Sequence, residues 1–298
     1  KKAIVAIRKV WKNFMVLRSV ECGTPIALGN TISFREGSDR REALRRIVDQ
    51  AEALAREIGV KVLLFRDFYN EDLEFYDCLA GFGYRRIHNL PTAELEIRWP
   101  TFEEYLKAMR SQYRCKLLAQ IKKFQESGAT MEYREQFAPI ADVLASLWRN
   151  AYDHAIEYKR EVLTTDYFAG MDTFLKERSA VILTNHEGKP AAFLLLLFDG
   201  DTMVTLFCGI DYTHSKEHGF YFNLFYRAIE IAMQRGIKKL HLGITALPPK
   251  IDLGAVVTPL WMYMKHLNPL WNRIVPRLFD MMTPKTKTEL QSRNVFKK

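Results

Sequence analysis

Apolar and polar positions along the chain switch between a period of two and a period near three and a half, and the switches mark out its elements. Residues 14–22 and 26–34 are apolar segments separated by Gly23, Thr24 and Pro25, the pattern of a hairpin. Ser38 or Asp39 caps the helix that follows. In it Ala43, Leu44, Ile47, Val48, Ala51, Leu54, Ala55 and Ile58 form an apolar stripe at helical spacing, stopped by Gly59. Residues 60–65 then read as a buried strand, 71–80 as a short helix, 84–87 as a turn outward and 92–97 as an alternating strand. The order ββαβαβ predicts a mixed sheet with helices.

Residues 100–127 interleave charged positions with Phe102, Tyr105, Leu106, Met109, Tyr113, Leu117, Leu118, Ile121 and Phe124, which predicts two amphipathic helices ending at Gly128. Beyond them come a strand (131–134), helices (137–158 and 167–176), and strands at 179–184, 191–198 and 202–210. A polar loop (211–219), a long helix (220–234), a strand (238–242) and a turn ending in Lys250 and Gly254 complete the pattern. Strand, polar loop, helix and strand make a unit that commonly holds an anionic or thioester ligand where the first strand ends and the helix begins. Residues 203–255 are therefore the stretch around which the chain is organised.

Composition adds bounds. The chain has 298 residues, enough for one large domain or two of about 150. Its 48% hydrophobic and 27% charged residues are ordinary for a soluble globular protein. The longest apolar run, residues 191–198, falls far short of the roughly 20 needed to cross a bilayer. Lys1-Lys2 without an initiator Met reads as a fragment or processed chain. Cys22, Cys78, Cys115 and Cys208 are scattered, with no CxxC pair, which fits free thiols in a reducing cytoplasm.

The net charge is +9, but it belongs to the two ends. Residues 1–20 hold six basic side chains and no acid; residues 259–298 hold eight against Asp280 and Glu289; the body between is slightly acidic. Such ends touch membrane surfaces, partners or solvent more often than they line a cleft, so net basicity lends tRNA no support as a partner while leaving it open.

The segment TAELEIRWPTFEEYLKAMRSQYRCKLLAQIKKFQESG, with its basic run Arg110, Arg114, Lys116, Lys122 and Lys123, resembles the FemABX type of tandem GNAT protein. VECGTPIALGN near the start and GIKKLHLGITALPPKIDLGA near the end resemble bacterial relatives described as peptidoglycan biosynthesis or recognition proteins, so the likeness spans about residues 15–270. The resemblance implies an α/β (α+β) fold of two GNAT-like halves, with mixed central sheets flanked by helices. It divides the chain into an N-terminal GNAT-like domain (1–100) and linker helices plus a C-terminal GNAT-like domain (101–298). It also implies transfer of an acyl or aminoacyl group from a thioester or ester donor to an amine, with a cleft in the second half or between the halves.

Such a transfer needs a held donor, an oxyanion partner and a route for the amine proton. The diphosphate loop of acetyl-CoA-using GNAT enzymes resembles Arg/Gln-x-x-Gly-x-Gly/Ala; here Lys216, Gly219, Phe220 and Tyr221 stand in that place, with bulky Tyr221 where a small residue is usual. Acyl-CoA is the cofactor this half-match implies. Asp211, His214 and His218 are candidate acids or bases, at the strand end where an amine would arrive. Two histidines four apart with an aspartate also invite a metal reading, but no fourth ligand stands nearby and none is expected. Lys250, in a rigid Pro-Pro-Lys turn, is a candidate for anion binding or carbonyl polarisation because the proteins it resembles carry a Lys before a similar Gly; the alternative is a solvated turn lysine. His241 points into the cleft or into the core, while Arg114, His154, Glu157 and Tyr158 are candidate acceptor contacts. Trp261, Tyr263, Trp271 and Phe279, with methionines and arginines, suit either a surface meeting lipid headgroups or ordinary packing.

The resulting expectation is a cytoplasmic N-acyltransferase, peripheral to the inner membrane face, acting on a small-molecule or lipid-linked amine. The competing readings are a non-catalytic recognition module for a cell-wall precursor or lipid, and a basic-ended membrane adaptor.

Overall fold

The structure is a computed structural model that describes residues 17–24, 29–155, 161–213, 215–283 and 293–297. Its principal elements, in chain order, are β1 (Ser19–Cys22), α1 (Arg40–Glu57), β2 (Val62–Phe68), β3 (Arg85–His88), β4 (Thr92–Glu96), α2 (Phe102–Ala108), α3 (Ser111–Glu126) and β5 (Thr130–Arg134). There follow α4 (Ala141–His154), α5 (Thr165–Leu175), β6 (Ser179–His186), β7 (Lys189–Asp199), β8 (Thr202–Ile210), α6 (Ser215–His218) and α7 (Phe220–Gln234). The last are β9 (Lys239–Gly243), α8 (Leu247–Asp252), β10 (Val256–Thr258), β11 (Trp261–His266) and α9 (Pro269–Met282).

These elements form two compact units. The first takes residues up to 90 together with 259–283, on a four-stranded sheet of order β1-β2-β11-β3. Asp39 starts α1, its Oδ1 accepting from the backbone N–H of Arg41 and Glu42 at 3.0 and 3.1 Å. Leu44, Val48, Ala51 and Ala55 then fall on one face and pack with Leu63, Phe65 and Phe68 of β2. Val62 and Leu64 point the other way, against Met262 and Met264 of β11 and Val275 and Phe279 of α9. Since β2 is covered on both faces, Val62 to Phe65 is a continuous apolar run rather than an alternation.

The second unit takes Pro91–Thr258 with residues 293–297, on a seven-stranded sheet of order β10-β4-β9-β8-β7-β6-β5. Its neighbours are antiparallel except β8 and β9, which run parallel through the crossover helix α7. Alternate residues of the strands feed two cores. Ala180, Ile182, Leu194 and Leu196 meet α7 on one face, while Val181, Leu183, Phe193 and Leu195 meet α4 and α5 on the other. Hence the run at 191–198 is apolar at every position.

Four expectations are corrected. No hairpin forms at 14–34: β1 pairs in parallel with β2, residues 29–34 hold no strand, and residues 14–16 and 26–28 lie outside the described residues. Residues 85–88 are an edge strand, not a turn. The alternating strand at 92–96 joins the second sheet, between β10 and β9, not the first. Residues 259–282, placed by sequence with the second half, return to the first unit, where β11 sits between β2 and β3. The units therefore meet the chain at 90/91 and 258/259 rather than near 100.

Candidate active site

The parallel pair β8 and β9 is where the second unit opens. The strands are in register over only three positions, ending at Val204 opposite His241, with a last tie from Thr205 Oγ1 to the His241 carbonyl at 3.1 Å. β8 nevertheless continues to Ile210. On its other side β8 stays paired with β7, but Thr205 to Cys208 stands opposite only Leu196 to Leu194, so β8 bulges at Leu206-Phe207. One extra residue on one side and lost pairing on the other make the two strands diverge. Gly209 keeps β8 in place beyond the bulge: a Cβ there would lie 2.6 Å from the backbone of Leu147 and Trp148, so α4 crosses the strand too closely for any side chain.

Lys250 fills this divergence. The stretch read as a rigid turn is the short helix α8, and it buries Lys250 to 4% exposure, which overturns the solvated alternative. Its Nζ donates to the Thr245 carbonyl at 2.6 Å and lies 5.6 Å from the Phe225 ring. A Cβ built on Gly243, the last residue of β9, would stand 3.6 Å from Nζ and 3.9 Å from the Thr205 carbonyl. Those are ordinary contact distances, so it is the backbone conformation, φ +84, that calls for glycine beside the ammonium. Burial lowers the Lys250 pKa to about 8, partly offset by Cys208. Burial pushes the Cys208 thiol up to about 12, and raises the Tyr221 phenol, with Cys208 and Tyr212 adding to it.

Cys208, Tyr212, Tyr221, Phe225 and Lys250 are thus one neighbourhood at the end of β8. His154, at the last turn of α4, joins through a stack on Tyr212 with centroids 4.2 Å apart and planes at 20°. Of these, sequence reasoning singled out Lys250, Tyr221 and His154, and it missed Cys208, Tyr212 and Phe225. Cys208 was counted only among scattered thiols; its place two residues before the end of a strand leading into the polar loop was the available signal.

Other expected residues go elsewhere. Asp211 Oδ1 accepts from the Thr213 backbone N–H at 2.9 Å and from its hydroxyl at 2.6 Å, a local turn. His218, in α6, has its ring 4.9 Å from that of His186 at the end of β6, two strand spacings or about 10 Å from β8. Lys216 is exposed on the same short helix. Arg114 Nη1 donates to the Met109 carbonyl at 3.1 Å, tying the α2–α3 junction. His241 is buried, on the face opposite Leu240 and Leu242, its Nδ1 3.2 Å from Glu94 Oε1. His214, Glu157 and Tyr158 lie outside the described residues. Among the described residues no cluster of His, Cys, Asp or Glu is arranged to hold a metal, and no helix is long and apolar enough to cross a membrane.

The start of α7, expected to cradle a CoA diphosphate, is closely packed. Gly219 is its N-cap at φ +69, and a Cβ there would stand 2.7 Å from Gln120 Oε1 and 3.4 Å from the Gln120 carbonyl of α3. Asn223 Nδ2 bridges the carbonyls of Gln120 and Gly219 at 3.0 and 2.9 Å. Phe220 is a core residue at 1% exposure. With α3 lying over Gly219, the residues present do not fit a diphosphate at that point. Farther along the same helices lies a groove of about 280 Å³, lined by Tyr113, Gln120, Phe222, Tyr226, Pro249 and Leu253, with Lys116 and Lys123 on its walls. α8 therefore separates this groove from Lys250, presenting Pro249 to one and the ammonium to the other.

Comparison with known proteins agrees with this architecture. The FemAB-like family model, described as peptidoglycan biosynthesis/recognition, matches residues 19–295. A Mycobacterium tuberculosis (strain H37Rv) protein with the working name 8-amino-7-oxononanoate synthase 2 is 29% identical over 265 residues, 87% of this chain and 34% of that protein. The chain thus spans about a third of the length of the curated relatives it matches. Among solved structures, FemX superposes with a TM-score of 0.56 at 13% identity, covering 80% of each chain. L-PGS from Bacillus licheniformis superposes with a TM-score of 0.53 at 15% identity, covering 82% of this chain and 81% of that one. The fold is a mixed α/β fold shared with FemX, and the chain belongs to the FemAB-like family.

Proposed function

We propose that this chain transfers an acyl or aminoacyl group from a thioester or ester donor to an amine, with the donor carbonyl placed at Lys250 Nζ. The observation that carries the reading is an ammonium held with 4% exposure between two diverging parallel strands, its place fixed by the Thr245 carbonyl. A buried cation there is costly unless its field is used. The amine attacks the carbonyl carbon and an oxyanion forms, which Nζ–H donation stabilises in a site of low dielectric. The C–O or C–S bond then breaks, and the proton lost by the amine ends on the departing alcohol or thiol.

The acceptor is a primary amine on a small or lipid-linked molecule. The working name of the Mycobacterium tuberculosis relative points to a product with a primary amine beside a ketone; an amino ketone of that kind belongs in the acceptor panel. Transfer measured from a set of acyl-CoAs and aminoacyl-tRNAs to such amines tests the proposal, and no turnover with either donor class overturns it. The crowding over Gly219 favours a second reading, a recognition module that retains the fold without the reaction. Saturable binding of a muropeptide by both the unaltered chain and Lys250→Met, with no transfer by either, is its signature.

A further inference from the structure

We propose that α9 is a docking face for an anionic lipid surface. α9 is apolar over far more of its circumference than its packing uses. Val275, Pro276 and Phe279 face inward, the first and last against the first sheet. Leu270, Trp271, Ile274, Leu278, Met281 and Met282 are 47% to 78% exposed. At 100° per residue these six occupy a continuous band about 120° wide, running the length of the helix for about 20 Å. Isolated exposed apolar residues need no explanation, but a continuous band on one helix marks a surface that is covered in use.

Charge identifies what covers it. Arg273 and Arg277 stand one turn apart along the margin of the band, both exposed, and neither has an ion-pair partner among the described residues. The helix's one acid, Asp280, is turned away: its Oδ1 accepts from the His88 backbone N–H and meets His88 Nδ1, both at 2.8 Å. Lys285 and Lys287 follow in sequence. Trp, Leu and Met beside arginines form the composition of a helix lying in the plane of a bilayer interface, with the rings at headgroup level and the guanidiniums on phosphates. A second copy is a poorer occupant, because two such helices face to face bring four arginines together with no free carboxylate between them.

The full chain is mixed with vesicles of phosphatidylcholine alone, or of phosphatidylcholine and phosphatidylglycerol, and floated on a density gradient. Partition to the anionic vesicles is expected, and its loss in Leu270→Ser/Ile274→Ser/Leu278→Ser. Arg273→Gln/Arg277→Gln should bind anionic vesicles about 30-fold more weakly, at about fivefold per arginine, with binding to neutral vesicles unchanged. Because every substituted side chain is exposed, thermal melting should be unaltered. Should the triple variant misfold, quenching of Trp271 by brominated phospholipid, read as the difference from Trp271→Phe, replaces it. No partition to either vesicle, partition unaffected by both variants, or a dimer in light scattering that the triple variant dissolves each overturns the proposal.

Discussion

Lys250 donates to the Thr245 carbonyl at 2.6 Å, so a buried cation of the second unit is held by the segment leaving β9 rather than by a carboxylate. A neutral acceptor fixes its position without neutralising its charge. That is the arrangement needed to stabilise a developing oxyanion, and it carries a stability cost whose sign is defined. The folded pKa of about 8 lies below the ordinary 10.5, a difference worth roughly 3 kcal/mol.

The unfolded chain keeps its proton on Lys250 up to pH near 10.5, and the folded chain releases it above about 8. Below pH 8 the penalty is present in full; stability then rises with pH between the two values. Lys250→Met should therefore be the more stable protein at pH 7 by about 1–3 kcal/mol, allowing for the lost hydrogen bond. The difference should shrink toward pH 10. Denaturant melts at both pH values check this, and a destabilised Lys250→Met at pH 7 contradicts it.

Gly243 lies beside the ammonium in a conformation that favours glycine. Gly243→Ala forces a side chain into φ +84 and sets its Cβ 3.6 Å from Nζ, for a cost of about 1–2 kcal/mol. Its transfer rate should fall more than that of an equally destabilised variant elsewhere, such as Ala51→Gly in α1. Equal rates in the two variants would separate Gly243 from the site.

Gly209→Ala should be among the most damaging single-methyl additions in the chain. Its Cβ would come within 2.3 Å of Phe193 and 2.6 Å of the α4 backbone, so a loss of about 3 kcal/mol or more is expected. Urea unfolding monitored by circular dichroism measures it.

In the first unit Lys265 Nζ sits between Glu52 Oε1 at 2.5 Å and the Phe82 carbonyl at 2.7 Å, with both side chains less than one-fifth exposed. Lys265→Ala leaves the Glu52 carboxylate with Arg56 alone, whose Nη2 lies 2.8 Å from Oε2, at an expected cost of about 1–3 kcal/mol. Glu52→Gln/Lys265→Met should recover most of it, and a double variant no better than the single one would show that packing, not charge, is at stake.

What the sequence revealed follows from how local each signal is. α1 was legible because a cap and a stripe of helical period lie within one segment, and α7 with the crossover from β8 to β9 because strand, loop, helix and strand are consecutive. β11 was misplaced because Trp261–His266 has no alternation of its own, and its partners are up to about 200 residues away in sequence. β4 was legible as a strand but not as a member of the second sheet, since alternation says which face is buried and not against what. Lys250 drew notice only through a family resemblance. Its burial arises from a bulge in one strand and the early end of its neighbour's pairing, neither of which has a residue signature. Tyr212 and Phe225 were invisible for the same reason.

The most direct measurement is single-turnover transfer from a labelled aminoacyl ester and a labelled acyl thioester, followed against pH in the unaltered chain and in Lys250→Met. If Nζ stabilises the oxyanion, the unaltered chain should lose activity as pH rises through about 8, and Lys250→Met should be slower by roughly 100- to 1,000-fold at neutral pH with that descending limb gone. A Lys250→Met protein that is folded and transfers at the unaltered rate would contradict the account.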